Sequence, residues 1–262
     1  MEKFYSQHGE DFLINEVFGK KRNGFFVEIG CLDGIEYSNT YFFEKQGWKG
    51  ICVEAHRDFI EMLKKNRPGS SIVHCAIGEK NEEHVTFYAN AIGSLSTLDK
   101  SEEERWNKSY KEFFTGFEEQ DVKMRTLTTI FDELKVAEID FVSLDIEGYE
   151  VQALSGLDFS KYKPRVFVIE YKDDVHKNKL EEILFPNGYS FMRQLDCNLF
   201  YSTEPADKTP LTKNYKKIHL TIPAKDGTET IREASINMPT TTEIIRGKLS
   251  KIKTIVKDKF KK

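Results

Sequence analysis

The chain has 262 residues, of which 39% are hydrophobic, with 20 Phe, 11 Tyr and 2 Trp. At roughly 150 residues per domain, this length allows one large unit with an appendage, and the apolar share excludes wholesale disorder. The net charge is −4, and residues 1–202 carry 25 basic against 36 acidic side chains, so the body lacks the basic face that nucleic acid requires and no nucleic-acid partner is expected.

The opening MEKFYSQHGEDFL has no apolar core of a signal peptide, and no run approaches the ~18 consecutive apolar residues of a spanning helix. Cys31, Cys52, Cys75 and Cys197 show no C-x-x-C spacing, and three fall in or beside apolar runs. This pattern predicts buried reduced thiols, no zinc knuckle, no disulfide framework and a cytoplasmic setting.

In chain order, β-rich runs occupy 24–30 (GFFVEIG), 50–55, 70–78, 84–89, 140–146, 164–171, 189–195 and 197–203. Amphipathic stretches at 37–47, 57–66, 126–135, 148–156 and 175–186 lie between them. The alternation predicts parallel βαβ units, and the near-continuous apolar strands imply helices on both faces of the sheet. Only Asp196 separates the last two runs, which predicts an antiparallel hairpin closing one sheet edge. The expected fold is therefore α/β: a Rossmann-like, doubly wound sheet, mainly parallel with an antiparallel C-terminal hairpin strand, as in class I methyltransferases.

Segment 93–123 breaks the alternation. Its Trp106, Tyr110, Phe113, Phe114 and Phe117 recur at helical spacing, which predicts a helical insertion that covers an acceptor pocket or docks on the core. After Thr203, Pro205, Pro210, Pro223 and Pro239 predict an irregular extension with one strand at 217–222. The domain is thus expected to span 1–203, followed by an extension over 204–262.

The strongest local signal is the strand-and-turn FVEIGCLDG at 26–34, which feeds a helix. Gly30 lets backbone approach a ligand, and the helix start offers free N–H groups. Two acids, Glu28 and Asp33, flank the turn, and the G-x-G-x-x-G spacing is absent. Negative charge there repels a pyrophosphate and suits a cationic cofactor, which favours S-adenosylmethionine over NAD. Glu54, at the end of the second strand, is placed to accept both ribose hydroxyls, with Cys75, Ala76 and Ile77 lying against adenine. The fourth strand ends SLDIEGYE, putting Asp145 and Glu147 on one side of extended chain, and Glu170 ends the neighbouring strand. Glu150 reads equally as a helix-start acid. Of the scattered histidines, His8 and His176 are those within reach of the cleft.

Together FVEIGCLDG, SNT at 38–40, VEA at 53–55, SLDIEGYE at 143–150, VIEY at 168–171 and the leader YSQHGED at 5–11 resemble the FkbM-type methyltransferases over roughly residues 4–202. The resemblance implies S-adenosylmethionine as donor and O-methylation of a sugar hydroxyl in a glycan or glycoconjugate. By position it makes Gly30, Glu54, Ser38 and Asn39 cofactor contacts, with Gln7 and Glu10 of the leader closing over the cofactor. Asp145, Glu147 and Glu170 would border the acceptor as catalytic groups. Asp145 or Glu147 would take the hydroxyl proton directly, or Asp145 and Glu170 would hold Mg²⁺ or Mn²⁺ that lowers the hydroxyl pKa. Two alternatives stand beside this reading: an NAD-linked Rossmann oxidoreductase, and a non-catalytic module that only binds the cofactor.

The last 17 residues, 246–262, hold the basic excess, and Ile245, Leu249, Ile252, Val256 and Phe260 follow at spacings of 4, 3, 4 and 4. This is a basic amphipathic helix, which either docks on the acidic body or gives peripheral contact with an anionic membrane. On the membrane reading, removing residues 246–262 abolishes co-sedimentation with anionic liposomes; equal partitioning of the full and shortened chains would discard that reading.

Overall fold

Helix α1 (Glu10–Phe18) precedes β1 (Phe25–Ile29), α2 (Tyr41–Lys45), β2 (Lys49–Glu54), α3 (Ile60–Asn66), β3 (Ser70–His74), β4 (Ala76–Ile77) and β5 (Glu82–Ala89) in a computed structural model of the chain. There follow α4 (Glu102–Ser109), β6 (Glu118–Arg125), α5 (Leu127–Glu133), β7 (Phe141–Leu144), α6 (Glu150–Ser155) and β8 (Val166–Glu170). The chain ends with α7 (Asp174–Leu184), β9 (Ser190–Leu195), β10 (Asn198–Ser202), β11 (Tyr215–Pro223) and β12 (Glu229–Ile236). The structure describes residues 2–19, 21–109, 114–205, 208–223 and 229–236.

Seven strands form the central sheet in the order β3-β2-β1-β7-β8-β10-β9. Pairings from β3 to β8 are parallel, and β10 runs antiparallel to both β8 and β9. The hairpin after α7 therefore puts its second strand inside the sheet and its first at the edge. Alternation along each strand sends side chains to two separate cores. Val27, Ile29, Val53 and Leu144 face one side, against Ile130 of α5, Leu154 of α6 and Leu180 of α7. Phe26, Cys52, Phe141 and Val168 face the other, against Leu13 of α1, Phe43 of α2 and Leu63 of α3. With both faces apolar, the inner strands stay nearly free of polar positions, and burial of each apolar side chain contributes about 1.5–3 kcal/mol. Strand order reverses between β1 and β7, and the crevice at their carboxyl ends is where such sheets bind ligands.

Three segments differ from the sequence expectation. Among the described residues of 93–123 the helix is α4, and β6 is a strand that pairs antiparallel with β5 and parallel with β4 in a separate three-stranded sheet. Gln120, Val122 and Met124 of β6 alternate inward between charged neighbours, a period-two pattern that the aromatic spacing upstream obscured. Tyr110 and Phe113 lie outside the described residues. The apolar run at 70–78 breaks at Cys75 into β3 and β4, which belong to different sheets. The extension forms a two-stranded hairpin, β11 and β12, in place of one strand. Its Ile218, Leu220 and Ile236 enter the same core as Phe4 of the leader, whose carbonyl accepts from Thr221 N at 2.6 Å. Apolar burial against the leader thus orders a segment whose prolines suggested irregularity. The basic helix expected at 246–262 and Pro239 lie outside the described residues. Among the described residues, no helix is long and apolar enough to cross a membrane.

Polar groups inside the second core are gathered around Arg67, which has no exposed surface. Its Nη1 donates to Glu28 Oε2 at 3.0 Å and to the Gly34 carbonyl at 3.1 Å, its Nε to Glu44 Oε2 at 2.9 Å, and its Nη2 to Thr40 Oγ1 at 2.7 Å. One cation thereby ties β1, the loop after it, α2 and the end of α3 together. Removing one partner of a buried ion pair leaves the other charge unsatisfied and costs roughly 3–5 kcal/mol. Arg67→Met is expected to lower unfolding stability by about that amount in urea titration, and pairing it with Glu28→Gln should restore part of the loss. A loss of less than about 1 kcal/mol, the scale of exposed pairs, would refute this role.

Candidate active site

A cavity holding about 660 Å³ of open space, counted out to solvent, lies at the carboxyl ends of β1, β2 and β7. Gly30 and Leu32 line it from the turn after β1, Glu54 and Ala55 from β2, Cys75, Ala76 and Ile77 from the β3–β4 run, and Asp145, Ile146, Glu147 and Tyr149 from the turn after β7. Phe87 of β5 and the loop residues Gly93, Ser94, Ser96 and Leu98 complete the wall. Of the residues expected to contact a cofactor, Gly30, Glu54, Cys75, Ala76, Ile77 and Asp145 border this space.

Gly30 has φ +84°, and a Cβ there would lie 1.8 Å from the Asp145 carbonyl oxygen. Only glycine lets β1 and β7 close on each other at their ends. Glu54 is buried, and its two carboxylate oxygens accept from Leu32 N and His56 N, each at 2.7 Å. A carboxylate offers about four acceptor positions, so both oxygens keep lone pairs for a diol. Burial pushes the Glu54 carboxyl up from its ordinary value, against the pull of those two N–H donors.

The remaining expected cofactor residues are elsewhere. Glu28 is turned into the core, where it accepts from Ser38 Oγ, Asn39 N, Thr40 Oγ1 and Arg67. Ser38 and Asn39 serve that same buried cluster, and Asn39 Nδ2 donates to Ser143 Oγ at 2.9 Å. Asp33 closes its own turn by accepting from Ile35 N and Glu36 N. These four residues build the loop from beneath; they do not border the cavity. In the leader, Gln7 is exposed and its carbonyl accepts from Arg232, while Glu10 is fully buried, accepting from His8 N and Asn198 Nδ2. Neither borders the cavity. The sequence signal could not separate these cases, because an acid beside a glycine turn reads the same whether it points out or in.

Of the acids expected at the acceptor, Asp145 and Glu170 come together and Glu150 joins them, while Glu147 lines the cavity beside Asp145. Asp145, Glu150 and Glu170 each bring a carboxylate oxygen within 4.8 Å of the other two. Asp145 opens to solvent at the cavity mouth but is crowded by protein elsewhere. That crowding, with the charges of Glu10, Glu28 and Glu54, pushes its carboxyl up to about 6, against a hydrogen bond with Glu170 that pulls it down. Glu147 and Glu170 are raised well above the usual carboxylate range by burial and by Asp145 beside them. Glu147 has a left-handed φ of 55°, which turns its side chain toward the cavity and within 4.0 Å of Arg105.

Glu150 is fully buried and has a bracing role. Its Oε1 accepts from Ile146 N and Gly148 N, both at 3.0 Å, fixing the turn that carries Asp145 and Glu147. Its Oε2 stands 3.3 Å from His176 Nε2, and His176 Nδ1 accepts from Lys172 N. His176 therefore packs behind the acids and does not enter the cleft.

The sequence did not single out Phe87, Ser94, Ser96, Leu98 or Tyr149. Phe87 lies on β5, a run whose place in the fold the sequence pattern left unassigned, and the loop reads only as small residues. Within the segment expected as an insertion, Gly93, Ser94, Ser96 and Leu98 line the cavity, Trp106 packs edge-to-face with Phe114 and Phe117 at 5.8 and 5.5 Å in a small cluster of their own, and Lys172 pairs with Glu102 of α4 beside the acids.

Acids flanking an otherwise largely apolar wall, a glycine-closed turn and a free diol acceptor on Glu54 fit a cationic adenosyl cofactor, and the negative mouth does not fit a pyrophosphate.

Similarity to known proteins agrees with that chemistry. The Methyltransferase FkbM domain matches residues 28–200. No curated protein matches the chain. Among solved structures, a TehB-like SAM-dependent methyltransferase from Corynebacterium glutamicum is similar at 12% identity and a TM-score of 0.40, covering 75% of this chain and 88% of its own. A precorrin-6y C5,15-methyltransferase from Geobacter metallireducens is similar at 8% identity and a TM-score of 0.41, covering 88% of this chain and 90% of its own. Since the family match spans the strands and turns that carry the cavity, the chain belongs to the FkbM methyltransferase domain family and is an α/β, class I S-adenosylmethionine-dependent methyltransferase.

Proposed function

We propose that this methyltransferase transfers its methyl group to a hydroxyl of a sugar in a glycan or glycoconjugate. The observation that carries the proposal is the group of carboxylates around Asp145: Asp145 and Glu147 line the donor cavity, and Glu170 reaches Asp145 from the neighbouring strand. Adjacent carboxylates accept hydrogen bonds from neighbouring hydroxyls, and their charge repels phosphate from the reacting oxygen. S-adenosylmethionine, bound against Gly30 and Glu54, supplies an activated methyl on a sulfonium.

The chain's task is then to hold the acceptor oxygen in line and remove its proton. Positioning of this kind supplies about 7–11 kcal/mol, and a general base contributes roughly 10²–10⁴-fold. Asp145, with its carboxyl held up to about 6, is matched to accept that proton near neutral pH, and Glu170, whose own carboxyl is raised further and holds its proton, steadies the Asp145 carboxylate by hydrogen bond. Glu54 anchors the ribose. The closeness of the Asp145 and Glu170 carboxylates also supports a second route, in which these two residues would hold Mg²⁺ or Mn²⁺ and so lower the hydroxyl pKa. We place the reaction in a reducing, cytoplasmic setting, which suits four unpaired cysteines, three of them buried. Family membership sets aside the NAD-linked alternative, and product formation separates an enzyme from a binding module.

Methyl uptake from labelled donor into a panel of glycans and sugar conjugates tests the proposal; uptake into protein or RNA with none into sugar would overturn it. Asp145→Asn is expected to lower turnover by about 10²–10⁴-fold while calorimetry still detects donor binding. Exhaustive chelation with EDTA that leaves turnover intact removes the metal route.

The raised acids also fix a pH dependence of stability. With Asp145 held up to about 6 and Glu150 up to about 7 mainly by burial, the folded chain binds more protons than the unfolded chain, whose carboxyls titrate near about 4. Stability is therefore expected to fall as pH rises from about 4 through about 7, read as a declining Tm, with Glu150→Gln flattening the slope. A Tm that rises across this window would contradict the assignment.

A further inference from the structure

Beside Glu170, which pairs with Asn198 across the β8–β10 ladder, two segments distant in sequence bring a different donor set together. His8 comes from the leader, and Asp196 and Cys197 form the tip of the β9–β10 turn, where Asp196 takes a left-handed φ of 51°. One ligand atom from each of the three residues lies within 4.8 Å of the other two. His8 Nε2 and Asp196 Oδ1 are 3.7 Å apart. In a tetrahedral zinc site with bonds of about 2.0–2.3 Å, neighbouring ligand atoms stand roughly 3.3–3.8 Å apart, so this spacing already matches.

The two segments are locked in that relation from beneath. Glu10, fully buried, accepts from His8 N at 2.9 Å through one oxygen and from Asn198 Nδ2 at 2.9 Å through the other. Asn198 Nδ2 also stands 3.7 Å from Cys197 Sγ, and the Cys197 carbonyl accepts from Tyr171 N at 2.9 Å. Supporting contacts of this kind hold ligands in place around metals. The Asp196 side chain is 63% exposed and that of His8 24%, which leaves a path for an ion from solvent.

Imidazole, thiol and carboxylate together select a borderline-soft cation, unlike the all-oxygen set of Asp145, Glu150 and Glu170. We propose that His8, Asp196 and Cys197 form a zinc-type divalent metal site, with one coordination position open, that clips the leader to the β9–β10 turn beside the acceptor acids.

The full chain, stripped with chelator and dialysed, is titrated with Co²⁺ and then Zn²⁺. The expected result is Co²⁺ binding with a thiolate-to-cobalt charge-transfer absorption that Zn²⁺ abolishes. Cys197→Ser should remove that absorption. His8→Ala, a change in the partly exposed leader, should weaken binding by more than about 100-fold, since loss of a supporting partner alone gives 10–100-fold. The double variant Asp145→Asn with Glu170→Gln should keep the absorption. Its absence from the unaltered chain, its persistence in Cys197→Ser, unchanged affinity in His8→Ala, or its loss in the double variant would overturn the proposal.

Discussion

A guanidinium with no access to water holds the donor loop from below. Arg67 pairs with both Glu28 and Glu44 and also reaches Gly34 and Thr40, so the loop after β1 is anchored along its length. The arrangement stays favourable because nearly every lone pair and N–H in it finds a partner; a buried charge without such partners is strongly destabilising. It also explains why Gly34, with φ +81°, admits no side chain: a Cβ there would meet Arg67 at 2.6 Å. The cavity above inherits its shape from this buried cluster.

Above the loop, the same sign of charge is used differently. Glu54 and Asp145 face open space, and Glu147 and Glu170 crowd around Asp145, so their protons are held more tightly than in water. A cationic donor relieves that repulsion, whereas an anionic cofactor would add to it. Arg105 and Lys172 temper the field from one side, linking α4 to the acids, and this explains how an insertion outside the central sheet comes to border the reaction site.

Much of this was readable in advance where an apolar run ended in an acid or a glycine. Gly30, Glu54 and Asp145 sit at or just past the ends of β1, β2 and β7, and parallel strands deliver their ends to one edge. Glu28 misled because its neighbours in sequence resemble those of a cofactor contact, yet alternation along β1 sends it to the opposite side from Val27 and Ile29. Arg67 gave no signal at all: after Lys64, Lys65 and Asn66 it reads as one more surface cation at a helix end, and only the packing of α3 against the loop makes it the most heavily bonded side chain in that core. Strand β6 hid for a related reason, since its charged residues are the outward half of an alternating pattern.

The sequence by itself determined the alternation of strands and helices that builds the central sheet, its two apolar faces and the sequence positions of acids at strand ends, because these follow from periodicity and local chain chemistry. Tertiary structure decided which acids meet the cavity and which are spent on Arg67, how the leader and the β11–β12 hairpin share a core, and where the small second sheet stands. Those outcomes depend on contacts between residues tens to hundreds of positions apart, such as Glu10 with Asn198 and Thr97 with Glu147, and no local pattern encodes them.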